Sequence, residues 1–243
     1  MRAREGAASY SCQPSLLDSA ESNGGGEVND NMLHAMITVL DSKTASRLVV
    51  AEHYLHRRPP ISHAFGIHVG GRLLGAVTYG TPASRHLQMG ACPSDPSKVI
   101  ELNRLWLDDS LPHNSESWFV SRTLKMLPPR IVVSYADPLW GHYGYIYRAL
   151  NFRYAGWTDM ERKTPRYDYI PLDPTKHTRE AFRDGPGLSG VAYRRRRVAK
   201  VKYWTTTGTP TDRRVLAGLC GWPSYDWRTM PPPVPAQADE VTA

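Results

Sequence analysis

Residues 101 to 152 read ELNRLWLDDSLPHNSESWFVSRTLKMLPPRIVVSYADPLWGHYGYIYRALNF, and the fold turns on this stretch. From Val99 to Leu107 apolar and polar residues alternate, which puts Leu102 on one face of a strand and Asn103 on the other. A polar loop, Asp108 to Glu116, then leads into a helical pattern in which Val120, Leu124 and Leu127 recur before Pro128-Pro129. Ile131 to Ala136 is almost continuously apolar and ends in the carboxylate of Asp137, as expected of a strand buried on both faces. The loop Trp140-Gly141-His142-Tyr143-Gly144 opens a short helix, Tyr145 to Leu150, and Arg153 to Trp157 returns as a strand.

Upstream, Ile37 to Leu40 is a strand that meets Asp41, an N-cap residue for a helix carrying Leu48, Val49, Ala51 and Tyr54. Pro59 and Pro60 stop that helix near Arg58. Phe65 to Val69 and Leu73 to Tyr79 flank Gly70-Gly71, the signal of a tight hairpin. The order is therefore strand, helix, hairpin, strand, helix, strand, helix, strand. Downstream, Tyr167 to Ile170 reads as a strand, while Arg194 to Tyr203 is a basic segment to which no conformation is assigned. Residues 1–32 lack apolar periodicity and read as a disordered arm, 33–205 as the principal domain, and 206–243 as an extension with a Pro-rich disordered tail.

A chain of 243 residues with 41% hydrophobic content buries one substantial core. No stretch reaches the roughly 20 apolar residues of a membrane span, and the first residues lack the apolar centre of a signal peptide, so a cytoplasmic location is expected. Three scattered cysteines, Cys12, Cys92 and Cys220, argue against a disulfide framework. A formal charge of +7 favours a polyanionic partner without identifying it.

Several groups could carry chemistry. Asp137 stands at the carboxyl end of a buried strand, where burial would tune it as a base; an Asp-Pro turn is the plain alternative. Leu111 to Ser117, with Asn114, Ser115 and Ser117, lies at a helix N-terminus and suits a phosphate or an ordinary cap. Tyr147 faces a ligand or packs on the sheet, and Arg104 pairs with Glu101, meets a phosphate or lies on an exposed face. His53 and His56, three residues apart, share one helical face and offer two ligands to a metal or form a solvated pair. Arg194, Arg195, Arg196 and Arg197, followed by Lys200, Lys202, Tyr203 and Trp204, interleave charge and rings as nucleic-acid surfaces do, or form a solvated run.

Taken together, Met36 to Thr158 resembles the GNAT acyltransferase superfamily. Leu102 to Leu107 stands where that superfamily has its cofactor-facing strand and Tyr147 to Phe152 where it has a tyrosine-bearing helix; Pro112 to Ser117 replaces the usual glycine-rich signature. The chain resembles more narrowly the phage Mom DNA-modification proteins, a divergent GNAT branch. The segments that match are His53 to His56, Phe65 to Tyr79, Glu101 to Leu107, Asn114 to Ser121, Val133 to Asp137 and Gly141 to Phe152.

The resemblance implies an α+β, three-layer fold with a mixed, mostly antiparallel sheet flanked by helices. It implies a transferase that places a carbamoylmethyl group on N6 of adenine and so shields phage DNA from restriction in the host cytoplasm. The substrate would be double-stranded DNA with the adenine flipped out, the cofactor acetyl-CoA or a related acyl-CoA, and iron a further ligand. On it, Asp137, Tyr147, His53, Tyr54 and Tyr79 would be catalytic; Arg104, Leu105, Asn114, Ser115, Ser117, Ser121 and Tyr147 would hold the cofactor; His53 and His56 would hold the metal. Arg57, Arg58, Tyr143, Arg194, Arg195, Arg196 and Arg197 would meet DNA, and Tyr54, Tyr79, Trp140 and Tyr143 offer rings for the extruded base. The alternatives are a conventional N-acetyltransferase acting on a small amine or a protein lysine, and a DNA-binding protein without turnover.

Overall fold

Asp41 turns the first strand, β1 (Met36–Val39), into the first helix, α1 (Ser42–Glu52), by accepting from the amides of Lys43 and Thr44 at 3.0 and 2.9 Å. In this computed structural model the described residues are 34–159, 163–164, 166–172 and 191–230, so the expected disordered arm and the tail from Pro231 lie outside them. The cap is a charged one, and its hydrogen bonds from Thr44 hold the Asp41 carboxyl below its ordinary range. A depressed folded-state value means that the gain is present above the ordinary carboxylate range and lost as the pH falls through the folded value. Asp41→Ala is therefore expected to lower the thermal midpoint at neutral pH, with the difference from the parent vanishing in acid; a pH-independent difference would contradict the cap.

β2 (His63–Val69) and β3 (Arg72–Gly80) form the expected hairpin, with Gly70 and Gly71 both left-handed at φ 57° and 78°. Two consecutive positive φ values make the turn whose twist matches antiparallel strands, and glycine adopts them without strain. β4 (Val99–Leu107) runs antiparallel to β3, and β5 (Ile131–Ala136) runs parallel to β4. β6 (Arg153–Trp157) does not pair with β5, because β9 (Val201–Thr206) lies antiparallel between them. The seven-stranded sheet has the order β1-β2-β3-β4-β5-β9-β6, and β7 (Tyr167–Pro171) and β8 (Val191–Arg196) make a separate antiparallel ribbon.

Alternate residues of the central strands feed two cores. Ile100, Leu102, Val132 and Tyr203 pack with Phe119 and Val120 of α3 (Ser115–Met126) on one face. Val99, Ile131, Val133 and Trp204 pack on the other with Ala91 of α2 (Arg85–Ala91) and Leu216 of α5 (Pro210–Leu219). Helices therefore cover both faces of a mixed sheet, the α+β, three-layer arrangement expected. No described helix is long and apolar enough to cross a membrane.

Three elements differ from expectation. α1 stops at Glu52, because His53 already has extended backbone, well before the proline pair near Arg58. Residues 85–91, to which the sequence pattern assigns no element, form α2. The basic segment supplies β9, and past it Thr207 is buried and bonds Pro128 O at 2.7 Å while Thr209 opens α5 with a capping box, so residues 207–219 pack onto the domain.

Candidate active site

β4 and β5 pair over only three residues each, Val99 to Glu101 with Ile131 to Val133, and then part. A cleft of about 870 Å³ opens where they diverge, within the roughly 300–1,000 Å³ typical of small-molecule sites. One wall is β4 from Glu101 to Leu107; the other is Tyr135 to Asp137, Lys200 and the segment Gly141 to Tyr147. His53 and Tyr54 form a lip, and Leu111 to Ser117 closes the far end. At the point of parting Ser134 Oγ lies 2.9 Å from Leu102 O and 2.7 Å from the Tyr147 phenol oxygen. One hydroxyl proton serves only one of them at a time.

A bulge sets which β4 side chains enter the cleft. The register steps from Thr78 opposite Arg104 to Tyr79 opposite Leu102, leaving Asn103 as the extra residue. The Asn103 side chain accepts from Thr78 Oγ1 at 2.6 Å and donates to Pro60 O at 2.7 Å, tying the segment after α1 to the sheet. A side chain at Gly80 would overlap the Pro60 carbonyl. Past the bulge the alternation reverses, so Leu105 and Leu107 join Ile100 and Leu102 against the main core, and Arg104 shares an electrostatic environment with Glu101. Arg104 donates to Asn103 O at 2.6 Å and reaches Arg57 O at 3.5 Å, while its Nε is buried without a partner.

Glu101 is a carboxyl held near neutrality. Burial pushes its carboxyl from 4.5 up to about 7, against the opposing pull of Arg104 and Lys200. Burial likewise raises the Tyr147 phenol to about 12, partly offset by its bond with Ser134, and raises Tyr54 to about 12 with help from Asp137, so both stay protonated. His53 is driven to about 3, first by burial and then by Arg104, His142 and His56. Its Nδ1 accepts from the Leu55 amide at 3.2 Å, which places the single proton of the neutral ring on Nε2. Its ring stacks on Tyr54 at 4.2 Å, and Tyr54 meets Trp140 at 5.0 Å and His142 at 5.2 Å.

Asp137 is buried at 6% exposure and already doubly engaged: its carboxylate pairs with Lys200 Nζ at 2.8 Å and caps the turn Pro138–Trp140 through Leu139 N at 3.1 Å. Both sequence alternatives are thus realised, an Asp-Pro turn and a carboxylate in the cleft. At the far end the Asn114 cap does not form. Asn114 is left-handed at φ 68° with no side-chain cap bond, Ser115 Oγ donates to Pro112 O and Ser117 Oγ to Asn114 O. The start of α3 therefore turns its amide dipole toward the cleft without a cap from the Asn114 side chain.

His53, Tyr54, Arg104, Leu105, Asn114, Ser115, Ser117, Asp137, Tyr143 and Tyr147 meet in this cleft. Tyr79 does not: it is fully buried in the main core with its hydroxyl 2.7 Å from Thr123 Oγ1, so it offers no surface to a base. Ser121 lies outside the cleft and spends its hydroxyl on Trp118 O. Arg57 and Arg58 do not line it, and Arg194, Arg195 and Arg196 belong to the β7–β8 ribbon, beside which Arg197 pairs with Asp168 at 2.6 Å. The metal pair is corrected as well. The helix ends before His53, so His53 and His56 share no helical face; His53 Nδ1 is taken by Leu55 N and His56 Nδ1 lies 3.0 Å from Val50 O. Among the described residues no three His, Cys, Asp or Glu side chains gather to hold a metal, so this donor set does not fit iron. Glu101, which the sequence pattern offers only as a partner for Arg104, also lines the cleft; a carboxylate inside a strand heading for a buried face is the signal that marks it.

Residues 34–207 match the model of the Mom protein family. The chain is 34% identical over 125 residues to a protein described as "Methylcarbamoylase mom" of Escherichia phage Mu, covering 49% of this chain and 48% of that protein, so it spans about half the length of that curated relative. Among solved structures it is similar to an N-acetyltransferase from Staphylococcus aureus Mu50, at 14% identity and TM-score 0.41 over 71% of this chain and 98% of that one. It is also similar to a Bacillus subtilis acetyltransferase in complex with CoA, at 10% identity and TM-score 0.39 over 72% and 99% of the two chains.

Proposed function

The chain belongs to the Mom protein family, and from that premise we propose that it is a transferase that modifies the exocyclic N6 amine of adenine in double-stranded DNA, protecting phage DNA from restriction in the cytoplasm of the host. The observation that carries this is the cleft itself, where a near-neutral carboxyl, two protonated phenols, a neutral imidazole and an aromatic lip meet. The lone pair of N6 is delocalised into the purine, so the amine needs close orientation and a proton acceptor. Glu101 is that acceptor, since a carboxyl near 7 is available as a base at neutral pH and strong enough to be useful. Tyr54 and Trp140, at 5.0 Å, offer ring faces to an extruded base, and His53 Nε2–H offers a donor to its edge.

Asp137 and Lys200 position these groups rather than take the proton, because each is already committed to the other. An acyl-CoA fits the rest of the cleft. The start of α3 with Asn114, Ser115 and Ser117 suits a pyrophosphate, and the β4 edge from Asn103 to Leu107, which no described strand covers on the β5 side, suits the amides of an extended thiol arm. When bound it supplies an acyl carbon activated as a thioester. Direct acetyl transfer joins N6 to a carbonyl carbon and releases the CoA thiol, whereas a carbamoylmethyl group joins N6 to a methylene that is two electrons more oxidised than an acetyl methyl and contains an additional nitrogen, so a co-donor that brings the nitrogen, together with a two-electron acceptor or a leaving group on that carbon, is part of the proposal.

Nucleoside mass spectrometry of DNA from cells expressing the chain is the test. A carbamoylmethylated deoxyadenosine, with resistance of that DNA to restriction digestion, is the expected result; unmodified DNA at good expression sinks the proposal, and acetylation of a small amine or lysine instead supports the conventional transferase. Asp137→Asn leaves Lys200 as an uncompensated charge facing the cleft, and roughly 10²-fold less modification with DNA binding retained is expected. Full modification by that variant would remove Asp137 from the site.

A further inference from the structure

Residues 223–230 take no part in the chemistry above, yet they are fastened to the catalytic sheet. The Tyr225 amide donates to Tyr154 O at 2.8 Å in an isolated antiparallel bridge, Trp204 Nε1 donates to Pro223 O at 2.9 Å, and Met230 packs against the main core. Between these anchors Asp226 caps the turn Trp227–Thr229 through Arg228 N. The turn lies beside α4 (Tyr145–Ala149), whose Ile146 and Tyr147 face the main core.

The other side of α4 is where the two elements meet. The Arg148 guanidinium lies 4.3 Å from the Tyr145 ring centre and 4.5 Å from that of Trp227, and Arg228 lies 5.1 Å from the latter. Ring and guanidinium thus alternate from Tyr145 through Arg148 and Trp227 to Arg228. Tyr145 is 70% exposed and Trp227 41%, more than packing requires of rings that size. Arg148 makes no ion pair among the described residues, and the Arg228 pair with Asp226 is long, at 3.5 Å, and in solvent. Tyr145 also lines the cleft, so the row begins at the mouth of the site.

Exposed flat rings and guanidiniums held rigid by stacking are what a nucleic-acid strand requires: faces for unstacked bases, fixed forks for phosphates. We propose that the row Tyr145, Arg148, Trp227 and Arg228 seats the DNA strand that flanks the target adenine as the base leaves the duplex. This rests on the DNA-modification reading and assigns to the segment after α5 a substrate-holding role. The net charge of the row, two arginines against Asp226, complements the negative charge of a phosphodiester chain, and its exposed rings supply the stacking faces that unstacked bases use.

The test is binding of the full chain to a short fluorescein-labelled single-stranded oligonucleotide with one central adenine, by anisotropy over a range of salt. Tyr145→Ala and Trp227→Ala are each expected to weaken binding about tenfold, the size of one lost base–ring stack, with the salt dependence unchanged. Trp227→Phe, which keeps a stacking face, is expected to retain most of the affinity. Arg148→Ala is expected to reduce the slope of log affinity against log salt by about 0.7. Alanine variants that bind as the parent does, in a parent that modifies adenine, overturn the row and leave the transferase standing. A parent that binds with these losses but leaves adenine unmodified sinks the transferase and leaves the row. A parent that does not bind the single strand overturns the row, and one that binds neither it nor its duplex sinks both.

Discussion

Glu101→Gln is expected to lower the rate of adenine modification by roughly 10²- to 10⁴-fold, the usual worth of a positioned general base. The amide keeps the size and the polar contacts of the side chain but accepts no proton at neutral pH. In the parent, modification should rise with pH through about 7 as the carboxyl ionises, and the residual rate of the variant should lack that rise. Stability moves the other way. A carboxyl whose folded-state value is raised from 4.5 to about 7 favours the protonated fold, so its stabilisation is fully present below about 4.5 and lost as the pH climbs through 7. The cost to the parent at alkaline pH is at most roughly 3 kcal/mol. The glutamine variant avoids it, and its unfolding midpoint should match the parent's in acid and exceed it above neutrality. A variant that is fully active, or one with the same pH profile as the parent, removes Glu101 from the base role.

Gly144→Ala is expected to cost about 2–5 kcal/mol and to abolish modification, although residue 144 carries no chemistry. Gly144 precedes α4 at φ 83°, which costs an alanine roughly 1–2 kcal/mol on its own. The added Cβ would also stand 2.5 Å from Tyr203 Cζ and 2.6 Å from its hydroxyl oxygen, an overpacking that typically adds about 1–3 kcal/mol. Tyr203 has nowhere to move: it is fully buried, donates to Tyr143 O at 2.9 Å and packs on Tyr147 and Tyr154. The strain would be relieved by displacing α4, and with it the Tyr147 phenol from Ser134. Urea unfolding measures the first effect and nucleoside analysis the second; an unchanged midpoint would show that the ring yields.

The hairpin, β4 and β5 could be read from sequence because each carries a strong local signal: two adjacent glycines, alternation around Leu102, and an almost continuous apolar run before Asp137. α2 could not, since Arg85 to Ala91 is short, sits among prolines and serines, and its preceding Ser84 makes no side-chain cap. β9 was masked by charge. Lys200 and Lys202 drew it into the basic run, whereas Val201 and Tyr203 are wholly buried and Trp204 nearly so. The site divides the same way. Asp137, Tyr147 and the loop before α3 sit at element ends, where local patterns place ligand groups. Glu101 and Arg104 come to share one environment only because Asn103 bulges, and strict alternation separates them. Lys200 reaches Asp137 through the β5–β9 pairing, a contact with no local trace.

The position of β9 also orders the birth of the molecule. Arg153–Trp157 is synthesised well before Val201–Thr206, yet among its described neighbours in the sheet β6 pairs only with that later strand. Until the ribosome has delivered Thr206, β5 keeps an open edge and β6 waits beside it without a partner, and open edges are templates for the wrong neighbour. The last strand of the sheet to be made threads between two that already exist. A chain cut short before residue 201 is thus expected to aggregate, measured as its share in the insoluble fraction, rather than to fold into a weaker form of the parent.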